Sequence, residues 1–270
     1  MENKFDQSSN PSAVTDWYVK GLDAYNNKEY SNAIIYFQKV IKVKPDHEVC
    51  YNGMGNAYRF SGHYNEAIEC YQKAIEIKPD YVSAYYSMGN TYAIMGNINE
   101  AIECYQKAIE IKPDCAEAYF NMGDAYSTIG NYDKAKECYQ KSIEYYQKVI
   151  GIKYRTVDAY NNMGDAYRNI GNYDKAIECY QKAIEFEPDF EVSYHNMGSA
   201  YDDIGKYNKA IEYYQKTIEI KPDYERAYFN MGWVYIKIGN TSKAVECFQQ
   251  AARLGLLDSQ VLLAQQGISW

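Results

Sequence analysis

The chain has 270 residues and a formal net charge of −8. Nucleic-acid binding usually requires a basic stripe, so this acidic balance disfavours it and suits a soluble protein with polar or basic partners. No apolar run approaches the roughly 18 residues of a membrane-spanning helix. Residues 1–13, MENKFDQSSNPSA, lack the apolar segment of a secretory leader, and they are predicted to form a mobile tail. We therefore expect a cytoplasmic protein without membrane insertion.

From residue 14 onward the sequence repeats itself. The glycine of the motif NMGDAY returns after 34 residues in every interval except one, which has 41. The seven copies are Gly21, Gly55, Gly89, Gly123, Gly164, Gly198 and Gly232. Within each unit, apolar residues recur with the period of an amphipathic helix. A period of 34 residues indicates a helix-turn-helix unit that buries its apolar stripe by stacking on its neighbours.

Further positions repeat as strictly as the glycine. Counted from the start of each unit, tyrosine stands at position 11 in six units, alanine at 20 in all seven, an aromatic residue at 24 in all seven, and proline at 32 in five. On these positions the chain resembles the tetratricopeptide repeat (TPR) family over residues 14–256. The resemblance implies an all-α fold, a right-handed superhelical solenoid of antiparallel helix hairpins. It also implies a concave groove that binds an extended or helical peptide segment.

The repeat boundaries follow from this register. The seven repeats are 14–47, 48–81, 82–115, 116–156, 157–190, 191–224 and 225–256. Residues 257–270 are predicted to form a capping helix and the C-terminus, with Leu257, Val261, Leu262 and Ala264 covering the last repeat.

The residues that pack and end the helices of a repeat are predicted for physical reasons. The glycine at position 8 and the alanine at position 20 are small, so the two helices of a hairpin can approach closely. Gly130 is predicted to end a first helix in the left-handed conformation, and Asn131 to cap the second helix. The Pro-Asp pair at positions 32 and 33 is expected to close the second helix and to cap the next first helix.

Repeat four is seven residues too long. The segment YQKSIEY is followed by a near-copy, YQKVIGI, at residues 139–152, inside the second helix. Seven residues turn a helix through roughly 700°, about 20° short of two turns, so the apolar stripe stays nearly in phase. Two interpretations remain open. The duplication is either a tolerated helix extension or an exposed apolar knob of Tyr145, Tyr146, Val149 and Ile150 that docks a partner or a second copy.

Positions 2, 5, 6, 9, 12 and 13 of each first helix lie opposite the core stripe and are predicted to line the groove. Position 6 is asparagine in the last four repeats: Asn121, Asn162, Asn196 and Asn230. An amide can donate to and accept from a peptide backbone, so these residues could hold an extended chain. The row is similar to the asparagine ladder of the O-GlcNAc transferase superhelix. Asparagine is also common at this place in TPRs, which leaves a structural interpretation open.

The predicted groove of repeats four to six is acidic. Its charged residues are Glu117, Asp124, Asp158, Asp165, Asp202 and Asp203, against one Arg168. Such a strip favours a Lys- or Arg-bearing peptide. The same residues are also compatible with an acidic face that is exposed to solvent and binds no ligand. Phe120, Arg226 and Phe229 complete the predicted groove. The residues of the carboxylate clamp that chaperone-binding TPRs use do not occur in any three successive repeats.

No chemistry-bearing motif emerges. The three histidines follow no metal spacing, and no phosphate-binding loop or nucleophile elbow occurs. We predict no catalytic residue, no metal and no cofactor, and seven free thiols in a reducing compartment. The predicted function is a non-enzymatic protein-protein interaction scaffold. The alternative is a self-associating structural protein, a homo-oligomer assembled through the extended helix of repeat four or an end repeat.

Overall fold

The computed structural model describes residues 11–150 and 156–270. These residues form fifteen α-helices, and no strand occurs among them. The helices are α1 (Pro11–Asn26), α2 (Tyr30–Val43), α3 (Glu48–Phe60), α4 (Tyr64–Ile77), α5 (Val82–Ile94), α6 (Ile98–Ile111), α7 (Ala116–Thr128), α8 (Tyr132–Val149), α9 (Thr156–Asn169), α10 (Tyr173–Phe186), α11 (Glu191–Asp203), α12 (Tyr207–Ile220), α13 (Glu225–Lys237), α14 (Thr241–Arg253) and α15 (Leu257–Gln265).

The first fourteen helices supply two helices to each predicted repeat, and the predicted all-α fold of helix hairpins is confirmed. The chain divides into two compact units, Met1–Cys138 and Tyr139–Trp270, with the division inside α8. The first helix begins at Pro11, so three residues assigned to the tail belong to α1. The rest of the predicted mobile tail, residues 1–10, lies outside the described residues.

In repeats one to three and five to seven, the glycine at position 8 packs against the aromatic ring at position 24. A Cβ atom added to Gly55 would come within 2.6 Å of the Tyr71 ring, and one added to Gly198 within 2.8 Å of the Tyr214 ring. Real Cβ atoms do not approach so closely, so a side chain at either position would push the ring out of the hairpin. The glycine is therefore a packing requirement in both units, as the sequence predicts.

The turn inside each hairpin uses a left-handed residue at position 15. Gly130 has φ of +76°, and the Asn131 amide oxygen accepts from the Lys134 N–H at 3.3 Å. Both predictions for this turn are confirmed. In repeat one the same place is occupied by Lys28, whose φ is +62°. A non-glycine residue is strained in this conformation because its Cβ crowds the following carbonyl oxygen.

The predicted capping role of the Pro-Asp pair is wrong. The residue preceding α5 is Tyr81, one position beyond Asp80, and its side chain makes no capping bond. The Tyr81 N–H donates to the Lys78 carbonyl at 3.0 Å, which closes a tight turn around Pro79. This turn places the aspartate one residue too early to cap the following helix.

The last helix covers repeat seven with a face that shares Leu262 with the predicted one but leaves the predicted Ala264 exposed. Leu263 is 2% exposed and packs in the core of the second unit, where Leu262 also contacts it. Leu257 and Val261, which were predicted to cover the repeat, are 67% and 47% exposed. Ser259 and Leu263 lie one turn apart, and both are buried. The buried stripe is thus rotated from the predicted one.

The extra residues of repeat four do lengthen its second helix. Helix α8 has 18 residues, whereas α10 has 14. The difference corresponds to about 6 Å of additional helix at 1.5 Å per residue. Residues 151–155, which include the end of the duplicated segment, lie outside the described residues.

Candidate ligand-binding face

We define the first-helix face as the residues at positions 5, 6, 9, 12 and 13 of the first helix of each repeat. In the first unit these helices are α1, α3, α5 and α7. In the second unit they are α9, α11 and α13. The predicted groove residues at positions 5 to 13 all belong to this face, and those at position 2 lie at the start of the same helices.

Asn121 uses its amide within the chain. Its Nδ2 donates to Tyr86 Oη at 3.0 Å and to Asn90 Oδ1 at 2.8 Å. Both acceptors belong to α5, the first helix of the preceding repeat. An amide nitrogen has two hydrogens, and these two bonds use both. The donors predicted to hold a peptide backbone therefore link neighbouring repeats.

Asn196 makes the equivalent link in the second unit. Its Nδ2 donates to Asp165 Oδ1 at 2.9 Å and to Asn161 Oδ1 at 3.3 Å. The two acceptors stand at positions 9 and 5 of the preceding repeat, as they do for Asn121. The acceptor at position 9 is a carboxylate here, so the bond to it is the stronger one.

Asn230 bonds a histidine instead. Its Nδ2 lies 3.0 Å from His195 Nε2, and His195 Nδ1 lies 3.3 Å from Asn196 Oδ1. An imidazole with Nδ1 protonated satisfies both contacts, accepting from Asn230 and donating to Asn196. Burial lowers the pKa of His195 to about 4, which keeps the imidazole in this neutral form near pH 7. Neither residue type nor spacing predicted that His195 would bond to the asparagine row.

The tyrosine hydroxyl at position 24 is a second member of these links, and sequence reasoning missed it. The bonds are Tyr71 to Asn56 at 2.8 Å, Tyr105 to Asn90 at 2.8 Å, Tyr180 to Asp165 at 2.7 Å, and Tyr214 with Ser199 at 3.1 Å. Burial raises the pKa of Tyr71 and of Tyr214 to about 12, so both hydroxyls stay protonated. Each hydroxyl thereby fixes the position-9 side chain of its own repeat.

A signal for these bonds was present in the sequence. Repeats one and seven have phenylalanine at position 24, Phe37 and Phe248, and apolar residues at position 9, Leu22 and Trp233. The Trp233 and Phe248 rings meet edge to face with centroids 5.5 Å apart. In the end repeats, phenylalanine at position 24 thus accompanies an apolar residue at position 9, where no hydroxyl bond can form.

Two ion pairs extend the links along positions 12 and 13. Arg168 Nε lies 2.6 Å from Asp203 Oδ2, and Lys237 Nζ lies 2.7 Å from Asp202 Oδ1. Each pair joins position 12 of one repeat to position 13 of the next. Although burial disfavours its charge, the Asp203 carboxylate keeps the pKa of Arg168 above its ordinary value. The second unit therefore supplies its own counter-charge for two of the predicted acids.

The other predicted acids differ in exposure. Asp165 is half-buried and accepts from Tyr180 and Asn196. Glu117 is half-buried beside the Cys115 thiol, which donates to it at 3.9 Å, whereas Asp124 and Asp158 are exposed. The predicted acidic strip is therefore not a uniform row of solvated carboxylates.

The predicted aromatic members pack against the chain. Phe120 is half-buried, and the Phe229 ring packs at 5.7 Å from Phe248 and 6.2 Å from Trp233. Arg226 is exposed at the start of α13. Trp233 remains 41% exposed, so the first-helix face of repeat seven presents an aromatic surface.

The predicted apolar knob is not exposed. Tyr146 is only 4% exposed, and its hydroxyl accepts from Asn162 Nδ2 at 3.3 Å. Tyr145, Val149 and Ile150 are half-buried. The knob prediction is wrong for Tyr146 because the seven-residue insertion keeps this tyrosine on the inward stripe of α8. Asn162, the second asparagine of the row, thus bonds the residue that was expected to protrude.

The first unit contains a cleft on its first-helix face. Its volume is about 610 Å³, and its lining includes Arg59, Asn90, Ile94, Asn121, Asp124 and Thr128. These residues belong to α3, α5 and α7, the first helices of repeats two to four. Ile94, at position 13 of repeat three, is 53% exposed. The cleft therefore combines apolar surface, amides, one cation and one carboxylate.

The cysteines are free thiols, as expected. Six are buried, and Cys115 is half-buried. Burial raises the pKa of the Cys50, Cys70 and Cys104 thiols to about 12. Within the described residues, no three His, Cys, Asp or Glu side chains come together as a metal site requires. In the same residues, no helix combines the length and the apolar character needed to cross a bilayer.

Sequence comparisons agree with the repeat register. Profiles described as tetratricopeptide repeat match residues 17–47, 114–186, 179–212 and 225–255. A profile described as TPR repeat matches 55–96, 89–130 and 198–239. These matches extend over nearly all of the predicted array. A search of curated proteins gives no match for the chain.

Among solved structures, a tetratricopeptide repeat protein from Parabacteroides merdae ATCC 43184 is 18% identical, with a TM-score of 0.69 over 94% of this chain and 98% of that one. A chain of the APC/C hetero-tetramer Cut9–Hcn1 is 16% identical, with a TM-score of 0.63 over 95% of this chain and 57% of that one. MamA is 29% identical over 66% of this chain and 93% of its own, with a TM-score of 0.47. The profile matches, together with the helix hairpins of the fold, place this chain in the tetratricopeptide repeat family.

Proposed function

We propose that this chain is a non-enzymatic scaffold that holds a polypeptide segment of a partner protein on the first-helix face of repeats two to four. The observation that supports this is the cleft of about 610 Å³ bounded by α3, α5 and α7. Tetratricopeptide repeats form a general protein-interaction fold. The cleft adds a specific place on this chain where such an interaction can occur.

The shape and chemistry of the cleft favour a polypeptide. It crosses three successive first helices, and packed helices lie about 8–10 Å apart. An elongated ligand can therefore contact all three. Exposed Ile94 and half-buried Ile98 offer apolar contacts, while Asn90, Asn121 and Asp124 offer polar ones. This mixture matches a segment with alternating apolar and polar side chains.

The structure of the second unit supports binding of a basic ligand less than its sequence suggests. Two of its acids, Asp202 and Asp203, already face Lys237 and Arg168. Both carboxylates form ion pairs within the chain, so a Lys- or Arg-bearing peptide would have to displace an existing partner. A basic residue of the ligand finds a better complement in the exposed carboxylate of Asp158.

A blocking substitution tests this proposal. A library of random 12-residue peptides displayed on phage is selected on the immobilised full chain, and selected peptides are synthesised with a fluorophore. Thr128→Trp fills the cleft from an exposed lining position, and Gln72→Trp adds the same side chain to an exposed position on α4. We expect Thr128→Trp to weaken binding at least tenfold in fluorescence anisotropy and Gln72→Trp to leave it unchanged. Equal binding by both variants, or no enriched peptide, would exclude the cleft as the binding site.

Self-association is the second candidate function. It no longer has support from repeat four, because Tyr146 is buried. It has support from α15, where Leu257 and Val261 lie one turn apart on an exposed face. The double variant Leu257→Asp, Val261→Asp tests it by light scattering over a range of concentrations. A dimer that the double variant abolishes supports assembly through this C-terminal helix, and a wild-type monomer at all concentrations excludes it.

A further inference from the structure

We propose that Arg59 is a subsite for an acidic side chain, glutamate or aspartate, within the segment that the first-helix face binds. This inference rests on the proposed function and specifies the chemistry of its ligand. It comes from a comparison between two arginines that occupy the same repeat position in different surroundings.

Arg168 shows what an arginine at position 12 does in this fold. Its Nε lies 2.6 Å from Asp203 Oδ2, and the aspartate stands at position 13 of the following repeat, 35 residues later. A carboxylate at that place thus reaches the guanidinium without distortion of the hairpins. The Lys237–Asp202 pair joins the same two positions with the charges exchanged. Opposite charges at positions 12 and 13 of neighbouring repeats are therefore a recurring contact of the second unit.

Arg59 stands at position 12 of repeat two, but the residue 35 positions later is Ile94. Among the residues that the structure describes, no carboxylate lies within ion-pairing distance of Arg59. Its Nε is buried and has no hydrogen-bond partner there. Its polar neighbours include the hydroxyls of Tyr71 and Tyr25, which stay neutral because burial raises the pKa of both. A buried donor on a cation without an anion is costly, so a ligand carboxylate would relieve a real deficit.

The position of the guanidinium suits this role. It packs over the Phe60 ring at 4.2 Å from the ring centroid, which limits its freedom before any ligand arrives. It also lines the cleft of about 610 Å³ described above. A planar, pre-oriented guanidinium can bind a carboxylate with two parallel hydrogen bonds. The Arg59 guanidinium is thus charged, held in place by the Phe60 ring and accessible from the cleft.

The same repeat interface lacks a second link. Asn52 stands at position 5 of repeat two, and its Oδ1 is buried without a partner among the described residues. At this position Asn161 accepts from the asparagine of the next repeat, Asn196, at 3.3 Å. The corresponding residue after Asn52 is Ser87. The ion pair and the position-5 amide bond that join repeats five and six therefore both lack a counterpart between repeats two and three, next to the cleft.

The test compares peptides that differ only in charge. One peptide selected on the full chain is synthesised with a glutamate, and a second with glutamine in its place, both amidated at the C-terminus. A third version ends in a free carboxylate and has the glutamine. On the wild type we expect the glutamate peptide to bind about tenfold more tightly than both others, since hydrogen bonds to a charged group are roughly twice as strong as neutral ones.

Substitutions at two places then identify the subsite. Arg59→Gln removes the cation, and Ile94→Asp supplies the internal carboxylate that repeat six provides to Arg168. We expect each to abolish the preference for glutamate. Ile94→Asn is the matched control, equal in size to aspartate but uncharged, and it should keep the preference. All three variants are checked for wild-type helicity by circular dichroism.

The outcomes separate this inference from the proposed function. Peptides that bind the cleft without a preference for glutamate, or a preference that survives both Arg59→Gln and Ile94→Asp, would overturn the subsite and leave the scaffold function intact. Tighter binding of the free-carboxylate peptide would overturn it in favour of a C-terminal ligand. If no peptide is selected by the chain, the proposed function and the subsite both fail.

Discussion

Substitution of Asn196 distinguishes a structural asparagine row from a ligand-holding one. Asn196 Nδ2 donates to the Asp165 carboxylate at 2.9 Å and to Asn161 at 3.3 Å. A hydrogen bond to a charged group contributes about 1.5–3 kcal/mol, and a long neutral bond contributes roughly 0.5 kcal/mol. Alanine has a better helix propensity than asparagine by about 0.6 kcal/mol. Asn196→Ala should therefore lower the free energy of unfolding by about 2 kcal/mol.

Asn162→Ala is the matched control. It changes the same residue type at the same repeat position, but Asn162 makes a single bond of 3.3 Å to Tyr146 Oη. The loss of that bond is largely offset by the gain in helix propensity, so the net cost should stay below about 1 kcal/mol. The two substitutions thus separate a charged double link from a neutral single one.

The measurement is urea unfolding followed by circular dichroism, combined with amide hydrogen exchange. Exchange is needed because a repeat array can lose one interface before the rest unfolds. Faster exchange in α9 and α11 of Asn196→Ala, and near-wild-type exchange in Asn162→Ala, is the expected pattern. If Asn196→Ala costs no more than Asn162→Ala, the links do not stabilise the interface and our reasoning fails.

Three further outcomes are expected. Lys28→Gly should raise the free energy of unfolding by about 0.5–1 kcal/mol, because glycine adopts φ of +62° without strain; an unchanged or lower melting temperature would contradict this. His195 has a pKa of about 4 when folded and 6.5 when unfolded, so below pH 6.5 the unfolded state binds the proton first and stability falls towards pH 4. Urea titrations should show a loss of about 3 kcal/mol over that range in the wild type and a smaller one in His195→Gln. Under native conditions a maleimide should label Cys115 before the six buried cysteines, as peptide mass spectrometry can show.

The fold could be predicted because single residues at fixed positions of the repeat determine the hairpin. Gly55 faces Tyr71, and Gly130 turns the chain, for reasons that hold within one hairpin. The face of α15 could not be predicted as well, since one short helix with apolar residues on several sides does not reveal which stripe meets its neighbour. The Pro-Asp cap failed because a tight turn at Pro79 moved the cap position by one residue.

Sequence reasoning predicted which helices carry the candidate residues, but it did not predict the hydrogen-bond partners of their side chains. Sequence reasoning put Asn121, Asp165 and Arg168 on the first helices of their repeats, and these residues lie on α7 and α9. It did not foresee that their partners would be side chains of the adjacent repeat, 31 to 35 residues away. Those contacts depend on how two repeats stack, and a helical pattern within one repeat contains no such information.

The hydroxyl bond between positions 24 and 9 limits how duplicated repeats can diverge. In Tyr180 and Asp165 the donor and its acceptor are 15 residues apart and 2.7 Å apart in space. Replacing the aspartate alone by leucine would strand a buried hydroxyl, at a cost of about 1–3 kcal/mol. Replacing the tyrosine alone by phenylalanine would remove a donor from a half-buried carboxylate. The route from a tyrosine repeat to the phenylalanine type found with Leu22 and Phe37 therefore crosses a destabilised intermediate, and copies of one ancestral repeat are held to their original pair unless both residues change together.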